Sequence, residues 1–242
     1  MSSGREKRLE AILARFLKPV KGIPFEIVIK SLCGTNVDRF DTEVPQSKVI
    51  LGKIVAAMRD ACLAVIAKPI MRPRPNEVGN DMEAFAIQAL QRHGLKAAGP
   101  KTLGGKGKSS GCPDIRIETT GNPVYLEVKS CAASPFKSSF RSFYLSPAED
   151  AKVSQDGHHL LVGFAMRRTD NSFVPEGFKL VDLYGLDCDM KAGFNSDNRR
   201  LSTADRVLAN WTIGISLGFR PASQRLSPRG RRQGEVARVD VL

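Results

Sequence analysis

Cys112-Pro113-Asp114 is followed, thirteen residues past the aspartate, by Glu127-Val128-Lys129. Two carboxylates and an ammonium brought together in this way suit a divalent cation held over a phosphate. Mg²⁺ is a hard cation that takes oxygen ligands, usually one or two carboxylates together with water and substrate phosphate. Asp114 and Glu127 would supply the carboxylates, and the Val128 carbonyl a further ligand. The bound ion would polarise a phosphoryl oxygen and make a nucleophile of water near neutral pH. Lys129 would orient that water or offset the charge that builds on phosphorus. One-metal and two-metal schemes fit the spacing equally. The formal net charge of +12 favours a polyanionic partner beside such a site. The bland alternative is an exposed strand face on which these charges are merely solvated.

The elements that would position these groups are legible. Val124 to Lys129 is an extended run of β-branched, aliphatic and aromatic residues, hence a strand. Side chains alternate between the faces of a strand, so Val124, Leu126 and Val128 share the core side and Tyr125, Glu127 and Lys129 the other. In the preceding run Ile115 and Ile117 face one way, and Asp114, Arg116 and Glu118 the other. Thr119 to Pro123 between them is a cluster of turn residues that predicts a hairpin. Antiparallel pairing across it sets Asp114 near Glu127 and Lys129.

On these residues, Pro113-Asp114 and Glu127-Val128-Lys129 with Glu83 on the preceding helix, the chain resembles the PD-(D/E)XK nuclease superfamily, and within it the type II restriction endonucleases. The resemblance covers roughly residues 77 to 185. It implies an α/β fold, a restriction-endonuclease-like mixed central sheet flanked by helices. It also implies Mg²⁺-dependent cleavage of double-stranded DNA leaving a 5′-phosphate, with Asp114 and Glu127 as metal ligands, Lys129 as catalytic lysine and Glu83 as a carboxylate that only some members use. A homodimer follows from the resemblance and from the two-fold symmetry of palindromic sites.

Glu83 has a second reading. Asn80 or Asp81 caps an expected helix from Met82 to Arg92, closed at His93-Gly94. Phe85, Ala86, Ala89 and Leu90 would pack on the sheet. Glu83 then falls in the first turn, where a carboxylate also favours the helix dipole. Both roles stay open. Between this helix and Asp114, Lys101 through Gly111 contains Gly107-Lys108-Ser109, but a P-loop would need its first glycine where Thr102 stands and a helix where Pro113 and a strand follow. A basic loop touching the nucleic-acid backbone through Lys101, Lys106 and Lys108 fits better.

The first seventy-five residues read as a helical region and residues 76–242 as the catalytic core with a basic tail. Helices are expected from Glu6 to Leu17, from Pro24 to Leu32 with Gly34 as the stop, and from Pro45 through Val65 before Pro69. Their apolar faces suit packing or a dimer surface, and their exposed cations DNA contact. Downstream, Ser146 to Ser154 suits a short helix, and His159 to Met166 and Phe178 to Leu183 suit strands. His158 and His159 project to opposite faces, which excludes them as a metal pair and makes a histidine-metal nuclease improbable. The segment from Phe194 to Arg200 is similar to a polar stretch late in some restriction endonucleases, and offers Asn195, Asn198 and Arg199 to DNA. The arginine-rich tail from Arg220 to Arg232 is a backbone-binding arm or a plain extension.

With 242 residues and 42% hydrophobic composition, the chain can bury a sizeable core. No apolar run approaches the roughly 20 residues of a membrane span, and the start lacks a signal peptide's apolar stretch. Five scattered cysteines without a Cys-x-x-Cys spacing point to free thiols and a cytoplasmic protein. Two other functions remain in view: a structure-specific repair or recombination nuclease of the same superfamily, and a non-catalytic basic DNA-binding protein.

Overall fold

The computed structural model describes residues 4–5, 7–8, 20–73, 77–105, 107, 111–132, 144–145, 151–190, 194–195, 203 and 205–212. The helix expected from Glu6 to Leu17 falls almost entirely outside them, and the arginine-rich tail wholly so.

Three helices, α1 (Phe25–Cys33), α2 (Pro45–Ala67) and α3 (Val78–Arg92), alternate with strands. The strands are β1 (Val20–Pro24), β2 (Val37–Asp38), β3 (Ile70–Met71), β4 (Lys96–Ala98), β5 (Ile115–Glu118), β6 (Val124–Ala132) and β7 (Tyr144–Leu145). They continue with β8 (Gly157–Thr169), β9 (Ser172–Asp182), β10 (Asp187–Met190), β11 (Phe194–Asn195) and β12 (Val207–Thr212). The main sheet runs β12-β9-β8-β6-β5-β4, with β2 beside β8 and β3 beside β9. β6 and β2 lie parallel to β8, while the other pairs are antiparallel, so the sheet is mixed as expected. A second, antiparallel sheet runs β1-β10-β11-β7.

The expected hairpin is present. Ile115 pairs with Leu126, Arg116 with Tyr125 and Ile117 with Val124. Val124, Leu126 and Val128 face a core shared with Ile54 and Met58 of α2 and Met82, Ala86 and Leu90 of α3. Each of these valine, leucine, isoleucine and methionine side chains, once fully buried, contributes roughly 1.5–3 kcal/mol. The opposite face of β6 is not simply solvated. Tyr125 joins Phe25, Val28 and Ile29 of α1 in a second core with Leu161 and Val181. Both faces of the central strands are therefore covered at this end, which explains the long apolar run in β8.

Several expected boundaries move. α1 begins at Phe25 with Pro24 as the residue before it, and Gly34 closes it in the left-handed conformation, φ 74°. α2 starts with Pro45 in its first turn and ends before Pro69. α3 starts at Val78, so neither Asn80 nor Asp81 caps it. The Asp81 carboxylate is taken instead by the Arg72 guanidinium, at 2.7 and 2.8 Å. Glu83 consequently lies beyond the first turn, and the dipole reading of it weakens. β9 opens at Ser172 and tolerates Pro175 because the register shifts there, between Ala165 and Met166 of β8. Residues 151–154 are not helical, against the expectation for Ser146 to Ser154; the remainder of that stretch lies outside the described residues. Its tertiary anchors differ from a helix's: Val153 enters the second core and the Ala151 carbonyl accepts from Leu103 N–H at 3.1 Å.

Candidate active site

The pairing of β5 with β6 stops at Ile115 and Leu126. Extending that register by one position sets Asp114 opposite Glu127. Pro113, one residue further, carries no N–H with which to continue the ladder. Val128 N–H, on the β5 edge of β6, is satisfied by a side chain instead: it donates to Asp114 Oδ2 at 2.8 Å. In an antiparallel pair a residue's N–H and C=O lie on the same edge of its strand. The Val128 carbonyl therefore shares the Asp114 edge, and Pro113 has no N–H to offer it. The Cys112–Pro113 peptide is cis.

Glu127 is only 3% exposed. Lys129 Nζ donates to Glu127 Oε1, so the two groups form an ion pair at the centre of the site. Glu127 Oε2 is buried with no hydrogen-bond partner. A buried carboxylate oxygen without a donor is costly, and it lies where the register brings in a second carboxylate. Burial, then the Glu127 charge, raises the Asp114 carboxyl to about 7, against the opposing pull of Lys129 and of the Val128 N–H. Burial pulls the Lys129 ammonium down, but the Glu127 and Asp114 charges outweigh it and its pKa is raised overall. Burial, followed by the Glu127 charge, holds the Cys112 thiol well above its usual range and therefore protonated.

Glu83 stands at the margin of this group. Burial raises its carboxyl, with Lys152 and Lys129 opposing and Glu127 reinforcing, which places it within electrostatic reach of all three. Lys152 carries no sequence signal. It lies between Ala151 and Val153 in an irregular segment, yet it is 6% exposed and donates to the Gly111 carbonyl at 2.7 Å and the Pro113 carbonyl at 3.1 Å.

These residues fit a divalent cation. An orphaned Glu127 oxygen and an Asp114 whose charge is disfavoured are both relieved by a positive ion between them. Among the described residues no three His, Cys, Asp or Glu side chains stand close enough to hold a metal by themselves. The remaining ligands would have to be carbonyl, water or phosphate oxygen, the usual surroundings of Mg²⁺ and not of zinc.

The histidines are occupied elsewhere. His159 lies buried between Phe25 and Tyr125, with ring centroids at 5.4 and 4.8 Å. His158 packs on Phe40, and its Nδ1 lies 3.1 Å from the Asp38 carbonyl. They face opposite ways, as alternation requires. The five cysteines, all among the described residues, form no disulfide. No helix among the described residues is long and apolar enough to cross a membrane.

The nucleic-acid candidates are less gathered. Lys101 is exposed, pairs its backbone with Gly107, and lines a groove with Gln91, Lys96, Arg116 and Glu118. Lys106 and Lys108 lie outside the described residues, as do Asn198 and Arg199. The backbone of Asn195 pairs with Asp189 and Tyr144 in the second sheet.

The sequence is similar to that of known restriction enzymes. The type II restriction enzyme MjaV family matches residues 19–205. The type II restriction enzyme MjaV of Methanocaldococcus jannaschii is 31% identical over 218 residues, spanning 84% of this chain and 94% of that protein. No solved structure matches. The matched span holds α1, α2, α3 and the whole Asp114–Lys129 hairpin, and the chain belongs to the type II restriction enzyme MjaV family.

Proposed function

We infer that this protein is a site-specific endonuclease of double-stranded DNA, with Asp114, Glu127 and Lys129 as its catalytic group and Mg²⁺ as its metal. Family membership supports the activity. The observation that carries the site assignment is the buried, unpartnered Glu127 Oε2, on a residue that the hairpin register sets opposite Asp114, with Lys129 paired to the other oxygen. Asp114, Glu127 and the Val128 carbonyl would hold the cation, and Glu83 adds a carboxylate at its side. When bound, the ion supplies Lewis-acid polarisation of the phosphate and a more acidic water.

The chain's own groups do the remainder. Lys129, its ammonium fixed beside Glu127, presents positive charge to the phosphate and a donor to the attacking water. Water adds to phosphorus as the bond to the 3′ oxygen breaks; the attacking water gives up its proton to solvent and the 3′ oxygen leaves as a hydroxyl, so the products are a 5′-phosphate and a 3′-hydroxyl. Lys101, Lys106 and Lys108 serve the backbone, and Asn195, Asn198 and Arg199 serve recognition. Each chain carries one such group while a duplex presents two scissile phosphates, which supports a homodimer. Cysteines without disulfides suit the cytoplasm. Residues 1–75 would serve packing, subunit or DNA contact, and 76–242 the catalytic core.

The test is digestion of phage DNA with Mg²⁺ by the wild type, Asp114→Ala and Lys129→Ala. Discrete fragments from the wild type are expected. Both variants should lose cleavage by orders of magnitude while still binding DNA, because neither change touches the basic surface. Full cleavage by both variants overturns the site. Cutting confined to branched DNA indicates a structure-specific nuclease, and binding without cleavage of any substrate a non-catalytic protein.

A further inference from the structure

A lysine ammonium that is almost completely buried loses several kcal/mol of hydration, so the partners of Lys152 matter. Its two carbonyl acceptors belong to Gly111 and Pro113, in the turn that delivers Asp114. The segment that brings it there is fixed at three further points: Leu103 N–H on the Ala151 carbonyl at 3.1 Å, Val153 in the second core, and Ser154 N–H on the Tyr125 hydroxyl at 3.3 Å. The ammonium is thus delivered by a rigid arm to the backbone immediately before a metal-ligand candidate, and its charge reaches Glu83 on α3. It ties two otherwise separate elements to one point: the turn before β5 and the segment before β8. A surface lysine does none of this.

We propose that Lys152 is a positioning residue of the nuclease site, clamping the Gly111 and Pro113 carbonyls so that the Asp114 carboxylate is held in place for the divalent cation. This rests on the assignment of Asp114 as a metal ligand. Lys152 touches neither cation nor substrate; it acts through the turn.

The experiment titrates the full-length protein with Mn²⁺ alone, without DNA, by calorimetry, in the wild type, Lys152→Met, Lys152→Arg and Asp114→Asn. Groups that orient a metal ligand typically change metal affinity about 10–100-fold, and Lys152→Met is expected to weaken Mn²⁺ binding by that factor. Its single-turnover cleavage rate should fall in step, with metal-free DNA affinity unchanged within about twofold, since backbone phosphates are bound elsewhere. Lys152→Arg, which keeps charge and paired N–H donors, should recover most of the loss. Wild-type Mn²⁺ affinity in Lys152→Met, or no recovery in Lys152→Arg, overturns the proposal. Should Lys152→Met fail to fold, Lys152→Gln, with an amide donor retained, is titrated in the same way; unfolding of both assigns Lys152 to the fold alone and also overturns it. Undiminished Mn²⁺ binding by Asp114→Asn defeats the site assignment itself, whereas loss in Asp114→Asn but not in Lys152→Met defeats only the role of Lys152.

Discussion

Asp114→Asn is expected to make the metal-free protein more stable while abolishing its activity. Asp114 is raised from 3.8 to about 7 by burial and by Glu127. The folded state therefore holds that proton more tightly than the unfolded chain. Its contribution is complete below pH 3.8 and is lost as pH rises through 7, so above neutrality the fold carries the full cost of an ionised, buried Asp114. A rise of that size corresponds to roughly 4 kcal/mol. Asparagine keeps the oxygen that accepts from Val128 N–H, but it buries an amide with a desolvation cost of its own, leaving an expected gain of about 2–3 kcal/mol at pH 8. For a chain of this size that is about 5–10 °C in Tm. The assay is urea denaturation in EDTA at pH 4, 6 and 8. Near pH 4 the variant should be the less stable by the amide's own cost, about 1–2 kcal/mol, and the two curves should cross as pH rises, leaving the variant the more stable at pH 8. Divalent cation at about a hundred times its Kd should then stabilise the wild type by about 2.7 kcal/mol and leave the variant unmoved. A variant no more stable than wild type at pH 8, or a difference that does not change with pH, refutes the reasoning.

Three further outcomes are expected. Lys129→Met should lower single-turnover cleavage by ~10²–10³-fold, as removal of a charge-stabilising donor commonly does, while the salt slope of DNA binding falls by no more than about one phosphate contact; equal rates would remove Lys129 from the chemistry. His159, buried between Phe25 and Tyr125, is depressed from 6.5 to about 3. The unfolded chain takes up a proton below 6.5 that the folded one refuses, so stability should fall from pH 6.5 towards 3. His159→Phe should flatten that limb of the urea-midpoint profile, and superimposable profiles would contradict it. Gly157→Ala should cost about 1–3 kcal/mol, because a Cβ there would lie 2.7 Å from the Pro123 carbonyl oxygen and 3.0 Å from Tyr125 Cε2; unchanged urea stability would show that the hairpin can yield.

What the sequence by itself determined is the part governed by local rules. Alternation placed Asp114, Glu127 and Lys129 on one face, turn residues placed the hairpin, and proline and glycine bounded α1 and α2, because each of these depends on neighbours a few positions away. The same rules ruled out the histidine pair. Where a distant partner competes, local reading fails. Asp81 looked like a cap until Arg72, on the far side of Pro73, claimed its carboxylate. Ser146 to Ser154 looked helical, yet residues 151–154 follow the second core and a tyrosine hydroxyl. Only the tertiary structure decided the burial of Glu127, the orphaned oxygen, the raised Asp114 and the placing of Lys152. Each depends on desolvation by elements far apart in the chain, and desolvation is a property of the packed whole with no periodicity to announce it.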